Sequence, residues 1–311
     1  MKYNKELNLK DNIGMNEIVG NNLLVLVALE SIVNVCINHM ELGEEGKKKD
    51  IINQFGEQAL RADLTAEMTV LEGLREYANR TGIIMEIHGE ETGSTTLGSK
   101  GEKYFGVLDG LDGSVNYLNP GKWSYGTMLA IAKIDNPKYR DFEIAAIGFP
   151  EENWVLMAVK DSGVFIFDID KQNCRKIEPI KDNGYDRTKV LSDNYFPEAK
   201  TMLGKMQEVW PRVGSEAAAI LAIITGSQVV NPKYPKMNEG WLGLADVTRK
   251  GNLEQPAIYL ILSELKGTVV DKEGKDIGDK NFRDWGQQEK IPIISARSAK
   301  VAEKILAELK L

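Results

Sequence analysis

Four apolar segments follow one another between residues 124 and 169, and they constrain the fold more than any other feature of the chain. They read "SYGTMLAIAKI", "FEIAAIGFP", "NWVLMAVK" and "GVFIFDI". Each has the length of a strand and is rich in β-branched, aromatic or small apolar residues, and turn residues separate them. Connections this short join neighbouring antiparallel strands, so a meander is expected. After "YDRTKVLSDNYF" the texture changes. A helix over 198–208, "VGSEAAAILAIITG", "EQPAIYLILSELKG", "TVVD", "PIISA" and the terminal helix "SAKVAEKILAELKL" make helices and strands alternate. The reading is an α+β domain over residues 1–185 and an α/β domain over 186–311. Residues 50–60 look helical. Residues 228–252, rich in Pro, Gly and Lys, read as a long surface excursion. No internal repeat or low-complexity tract is visible.

Residues 17–41 read as one long helix around "NNLLVLVALESIVNVCINHM". Glu30, Ser31, Asn34 and Asn38 interrupt it, which suits a buried amphipathic helix and not a membrane span. Without a basic leader or a small-residue cleavage site, a signal peptide is not expected, and a cytoplasmic enzyme is the default. "ADLTAEMTVLEGLREYANRTG" is a second helix, with Leu64, Leu71, Leu74 and Ala78 on its apolar stripe and Gly82 at its stop. Glu67 falls on that stripe. A carboxylate on a core face costs free energy unless it is paired or bound; in the first turn it can also snorkel outward and favour the helix dipole.

The 311 residues carry a net charge of −7, which argues against a broad nucleic-acid footprint. The only cysteines are Cys36 and Cys174 and the only histidines His39 and His88. Neither a disulfide framework nor a Cys/His metal site can be built from these. A metal here must be held mainly by oxygen, which selects Mg²⁺, Mn²⁺ or Ca²⁺.

"YFGVLDGLDGSVNY" supplies candidate oxygens. Asp109 and Asp112 sit three residues apart in a glycine-rich turn at the end of an apolar strand, and Glu90 ends another strand in "GEETG". Taken singly, an Asp-Gly pair is an ordinary hairpin signal and Glu90-Glu91 an ordinary exposed turn. Together they would converge at one sheet edge, where like charges need a cation between them. The Leu111 carbonyl could add a hard oxygen. The N–H groups of Gly113 and Ser114, opening a helical turn at Val115, could bind phosphate. In "RVGSEAAAILAIITG", Gly214 and Ser215 stand at an N-cap, either as a plain cap or as an N-terminus aimed at a substrate. "GSTTLGSK" lacks the spacing of a phosphate-binding loop and reads as a flexible loop. GxSxG, GxGxxG and EF-hand spacings are absent from the sequence.

These motifs, in order "GEETG", "LDGLDGSVNY", "RVGSEAA" and "EQPAIYLILSELKGTVVD", resemble those of the inositol monophosphatase and fructose-1,6-bisphosphatase superfamily over residues 60–275. The resemblance implies a layered αβαβα sandwich, commonly dimeric, and a lithium-sensitive phosphomonoesterase with two or three Mg²⁺ per site, Mn²⁺ being possible. It makes Glu90, Asp109 and Asp112 metal ligands, with the Leu111 carbonyl. Gly113 and Ser114 would hold phosphate, Ser114 would help orient water, and Gly214 and Ser215 would line the substrate side. Four departures accompany it. Gly110 replaces a usual Pro, loosening the turn. The late carboxylate falls on Glu254, with Asp246 as fallback. The closing Ala-Gly-Gly is Leu265-Lys266-Gly267. The helix carboxylate that activates water falls on Met68, or on Glu67 one residue earlier, and Glu67 takes the role. The implied substrate is a small phosphorylated sugar or polyol, with no nucleic-acid or membrane partner and a homodimeric assembly. A nucleotide 3'-phosphate is the alternative substrate, and a non-catalytic phospholigand-binding protein the alternative class; metal-dependent phosphate release separates the two classes.

Overall fold

The computed structural model describes residues 22–309 except 54, 55, 57, 180–183, 194, 195, 226–228, 249 and 250. Helix α1 (Leu23–Leu42) and helix α2 (Arg61–Thr81) lie side by side, Gly73 passing so close to Ser31 that a Cβ there would meet its Oγ. The part of the expected helix before residue 22 lies outside the described residues. By length and composition α1 could cross a membrane, but it packs on α2 and on the central sheet, burying Leu24, Leu29, Ile32 and Val33. Between the helices, β1 (Ile51–Ile52) pairs antiparallel with β2 (Gln58–Ala59), so the described ends of the stretch read as helical are strands.

The large sheet contains β3 (Ile84–Gly89), β4 (Gly93–Leu97), β5 (Lys103–Asp112), β6 (Gly126–Ala132), β7 (Phe142–Phe149), β8 (Trp154–Val159), β9 (Gly163–Asp168) and β10 (Asn173–Ile177). Its eight strands run in the order β10-β9-β8-β7-β6-β5-β3-β4. All pairs are antiparallel except β3 with β5. The expected meander is β6 to β9. "GSTTLGSK" is not a loop throughout: its first half lies in β4, the edge strand beyond β3.

Side chains alternate across this sheet with period two, and both faces are covered. Leu129, Ile131, Ile144 and Ala146 face α1 and α2, while Met128, Ala130, Ala145 and Ile147 face the other way. There they meet α5 (Glu216–Ile224) and α6 (Gln255–Glu264), whose apolar residues are buried nearly all round because a sheet lies on each side. The earlier short helices are α3 (Ser114–Leu118) and α4 (Pro197–Leu203). The second sheet holds β11 (Val190–Ser192), β12 (Gly243–Val247), β13 (Thr268–Asp271) and β14 (Pro292–Ala296), in the order β11-β12-β14-β13. Helix α7 (Ala299–Leu309) closes its outer face through Val301, Ala302 and Ile305. The layers are α, β, α, β, α, the sandwich expected.

The chain passes from one sheet to the other between Ile177 and Val190, and one apolar cluster joins the two through α5 and α6. Residues 229–248 are not a surface excursion. Tyr234, Met237, Trp241 and Leu244 are buried, and β12 is interior to its sheet.

Candidate active site

Asp109 and Asp112 meet because β5 is irregular. Side chains three apart on a regular strand point to opposite faces. Here Asp109 pairs with Met128 and Asp112 with Gly126, so three steps on β5 match two on β6 and one residue is bulged out. The bulge turns both carboxylates to the same side. It is fixed from within and without: Leu111 N donates to Asp109 Oδ1 at 2.9 Å, and Thr127 Oγ1 donates to the Gly110 carbonyl at 2.7 Å.

Gly110 does more than relax this turn. A Cβ on it would lie 2.3 Å from the Asp63 carbonyl and 3.0 Å from Glu67 Cγ. The missing side chain lets α2 pack directly on the bulge.

From the far half of the molecule, Glu254 arrives at the N-cap of α6. Carboxylate oxygens of Asp109, Asp112 and Glu254 all lie within 4.8 Å of one another. Three ionised carboxylates so close would repel by about 3 kcal/mol per pair at an effective dielectric of about 20. That sum is comparable with the whole stability of a domain, so protons or a cation must intervene. A donor set of carboxylates alone, without His or Cys, fits a hard divalent ion.

Asp112 also ties the halves together. Its Oδ2 accepts from Ser215 Oγ at 2.7 Å and from Ala217 N at 2.6 Å, at the N-terminus of α5, where the helix dipole favours a negative charge. Ser215 caps that helix by accepting from Ala218 N at 3.0 Å. Its hydroxyl is thus committed to the cap and to Asp112, so Ser215 positions Asp112 and does not line the substrate side. Gly214 does line the pocket, with Glu90, Gly113 and Ser114. Gly113 has a φ of +93°, and a Cβ there would strike Ser215 at 2.7 Å, so glycine is required on both counts. The Leu111 carbonyl lies 3.3 Å from Ser114 Oγ, which donates toward it.

The helix carboxylate facing Ser114 is Asp63, not Glu67. Ser114 Oγ lies 3.3 Å from Asp63 Oδ1. Asp63 Oδ2 accepts from Leu60 N at 2.8 Å, which holds the side chain at the start of α2. Burial, and then the nearby Glu90 carboxylate, push the Asp63 carboxyl up to about 7. Glu67, fully buried one turn later, has another task. Its Oε1 accepts from Glu91 N at 2.9 Å, and its Oε2 from Thr92 N at 2.8 Å and Thr92 Oγ1 at 2.7 Å. It braces the turn that presents Glu90. The Glu67 spacing that marked a misplaced charge extends one turn back to Asp63, and that was the available signal.

Two further carboxylates went unremarked or were held in reserve. Glu216 is the first residue of an otherwise apolar helix, and Gln255 Nε2 hydrogen-bonds its Oε2. Burial and then Asp246 raise its carboxyl well above the ordinary range. Asp246, on β12, is likewise pushed up to about 7 by burial and then by Asp193. Both line the pocket beside Glu254. Glu254 and Asp246 are therefore neighbours, and it is Glu254 that closes the triad with Asp109 and Asp112.

No family model matches this sequence, and no curated protein matches it. Solved structures do. A Thermotoga maritima IMPase superposes with a TM-score of 0.62 at 16% identity, over 93% of this chain and 97% of its own. The extragenic suppressor protein SuhB of Bartonella henselae gives 0.63 at 18% identity, over 92% and 97%. The Leishmania major fructose-1,6-bisphosphatase gives 0.64 at 16% identity, over 94% of each chain. This chain has the inositol monophosphatase and fructose-1,6-bisphosphatase fold.

Proposed function

We propose that this chain, built on that sugar-phosphatase fold, hydrolyses a phosphoric monoester of a sugar or polyol with the help of Mg²⁺, for which Mn²⁺ can stand in. The observation that carries the reading is the convergence of Asp109, Asp112 and Glu254 beside the Ser114–Asp63 pair. Similar folds named as inositol and fructose phosphatases support it.

Asp109, Asp112 and Glu254, with Glu90 on the adjoining wall, would hold the cations. A bound divalent ion would supply a more acidic water and charge neutralisation at the phosphate oxygens. The chain's own groups do the rest. Asp63 Oδ1 and Ser114 Oγ together hold and orient the attacking water, and Asp63, a buried carboxylate beside that hydroxyl, takes its proton. The water oxygen bonds to phosphorus as the bond from phosphorus to the ester oxygen breaks in line. The departing alkoxide is protonated from solvent. Gly113 and Gly214, which a side chain would crowd, let the phosphate approach the backbone between α3 and α5.

The test is phosphate release with Mg²⁺ from inositol-1-phosphate, fructose-1,6-bisphosphate and 3'-phosphoadenosine-5'-phosphate, beside Asp112→Asn. Turnover of a sugar or polyol ester that disappears in the variant supports the reading. Turnover of the nucleotide alone moves the substrate class. Silence on all three, with Mn²⁺ as well, contradicts it and leaves a non-catalytic binding protein.

A further inference from the structure

Asp109 and Asp112 stand on β5 in the first half of the chain, and Glu254 reaches them from the second. Asp112 is tied across that divide by Ser215 and Ala217. Glu254 has a tie of its own, two residues upstream. Asn252 is fully buried, and its φ of +52° lies in the left-handed region. The backbone direction it sets decides how Glu254 enters the site. Glycine would make the same turn without strain. Asparagine makes it at a cost. Among the described residues its Oδ1 has no hydrogen-bond partner, which adds a second cost in a buried position. What the side chain gains is one bond, from its Nδ2 to the Tyr139 hydroxyl.

Tyr139 belongs to the first half, in the connection between β6 and β7, and is itself immobilised. Its N donates to the Lys280 carbonyl at 3.1 Å. Its ring meets Trp285 edge-on with centroids 5.5 Å apart, and Tyr259 of α6 at 6.4 Å. Residues 282–287 close over Asn252 from the other side. Gln287 Nε2 donates to the Gly251 carbonyl at 3.2 Å and to the Phe282 carbonyl at 2.7 Å, and a Cβ on Gly286 would lie 3.0 Å from Asn252 Nδ2. The strained residue is thus held on two sides by groups that do not enter the acidic pocket.

We infer that Asn252 and Tyr139 are positioning residues, whose bond between the two halves of the chain fixes Glu254 against Asp109 and Asp112 closely enough for the site to prefer Mg²⁺ to Ca²⁺. The inference rests on the triad as the cation site of the phosphatase reading above. Mg²⁺ demands near-octahedral oxygens at about 2.1 Å, whereas Ca²⁺ accepts longer and less regular bonds. A Glu254 released from its tie still serves Ca²⁺ and serves Mg²⁺ poorly.

The experiment titrates Mg²⁺ and, separately, Ca²⁺ calorimetrically into wild type, Tyr139→Phe, Asn252→Gly and the double variant, each well below its thermal midpoint. Asn252→Gly keeps the left-handed turn and removes only the anchor, so it reports even where Tyr139→Phe folds poorly. Each single variant weakens Mg²⁺ binding by about tenfold and Ca²⁺ binding by less. The double variant is no worse than the singles, because both substitutions cut the same bond. Unchanged Mg²⁺ affinity with only a lowered midpoint would make the pair structural and overturn the inference. So would equal losses for the two ions, losses that add in the double variant, or a wild type that binds Mg²⁺ no better than Ca²⁺. Phosphate release is followed in parallel. Mg²⁺ binding that responds as expected while no ester is hydrolysed sinks the phosphatase reading and keeps this inference; hydrolysis with unresponsive Mg²⁺ binding does the reverse. A wild type that binds neither ion removes the cation site and the inference with it.

Discussion

The carboxylates of two regions of the molecule have opposite fates. On β3, Glu86 is held by Arg283, whose Nη1 and Nη2 donate to its two oxygens at 3.1 and 2.7 Å, with His88 Nε2 at 2.6 Å. Those contacts, Arg283 first, pull the Glu86 carboxyl down to about 2. The guanidinium also lies 4.5 Å from the centre of the Phe105 ring. Around the pocket, Asp63 and Asp246 are pushed up to about 7 and Glu91 to about 8 by burial and by other carboxylates. In the first cluster the chain supplies its own cation and the charge is structural. In the second the carboxylates crowd one another, and protons or a bound cation must offset their charge. Burial raises the cost of charge in both, and the available partner decides the sign of the shift.

That contrast breaks first at Asp112. Asp112→Asn keeps an acceptor for Ser215 and Ala217 but removes a negative charge from the triad. Phosphate release should fall by about 10³-fold while the thermal midpoint in the absence of metal does not drop. Glu67→Ala should unfold more easily by roughly 3 kcal/mol in urea, since it strands two N–H groups and one hydroxyl at about 1 kcal/mol each. Asp63→Asn should lower kcat by about 10²-fold with KM little changed, and a comparable loss in Glu67→Gln with Asp63 intact would reverse the roles assigned to the two.

The pH dependence sharpens the comparison. Asp63 and Asp246 have folded values raised from 3.8 to about 7. Their contribution to stability is present below the unfolded value and is lost as pH rises through about 7. The metal-free protein should therefore lose stability between about pH 4 and 8, and Mg²⁺ should restore it increasingly with pH, because cation and protons compete for the same oxygens. Glu86 runs the other way. Its folded value is depressed, so its contribution is present above about 4.5 and lost as pH falls toward about 2. Arg283→Met should shrink that acid-limb loss, with His88 still in contact, and leave the Mg²⁺ effect untouched. Because the pair is partly exposed, solvent screening holds its effect at pH 7 to about 1 kcal/mol or less.

The sequence revealed most where a local rule acts alone. The meander was readable because period-two burial and short turns are local, and Asp109 and Asp112 because a glycine-rich turn advertises itself. Glu254 was reachable by counting. The misreadings share a cause, in that tertiary packing overrode composition. Lys, Pro and Gly in residues 229–248 obscure the run Gly243 to Val247, which becomes an interior strand because β11 and β14 flank it. Within residues 50–60, Ile51–Ile52 and Gln58–Ala59 pair as two short antiparallel strands. Asp63 and Glu67 occupy the same helix stripe one turn apart, and only the position of Ser114 distinguishes them. Gly110 looked like a loosened turn until the Asp63 carbonyl took up the space.

The most direct test of an acidic site left for an external cation is a calorimetric titration of Mg²⁺ into wild type and Asp112→Asn at pH 7.5 (about half a unit above the raised carboxyls, so that they are largely ionised). Saturable binding by wild type that is lost or much weakened in the variant is the expected result. No binding by wild type, or equal binding by both, would contradict it.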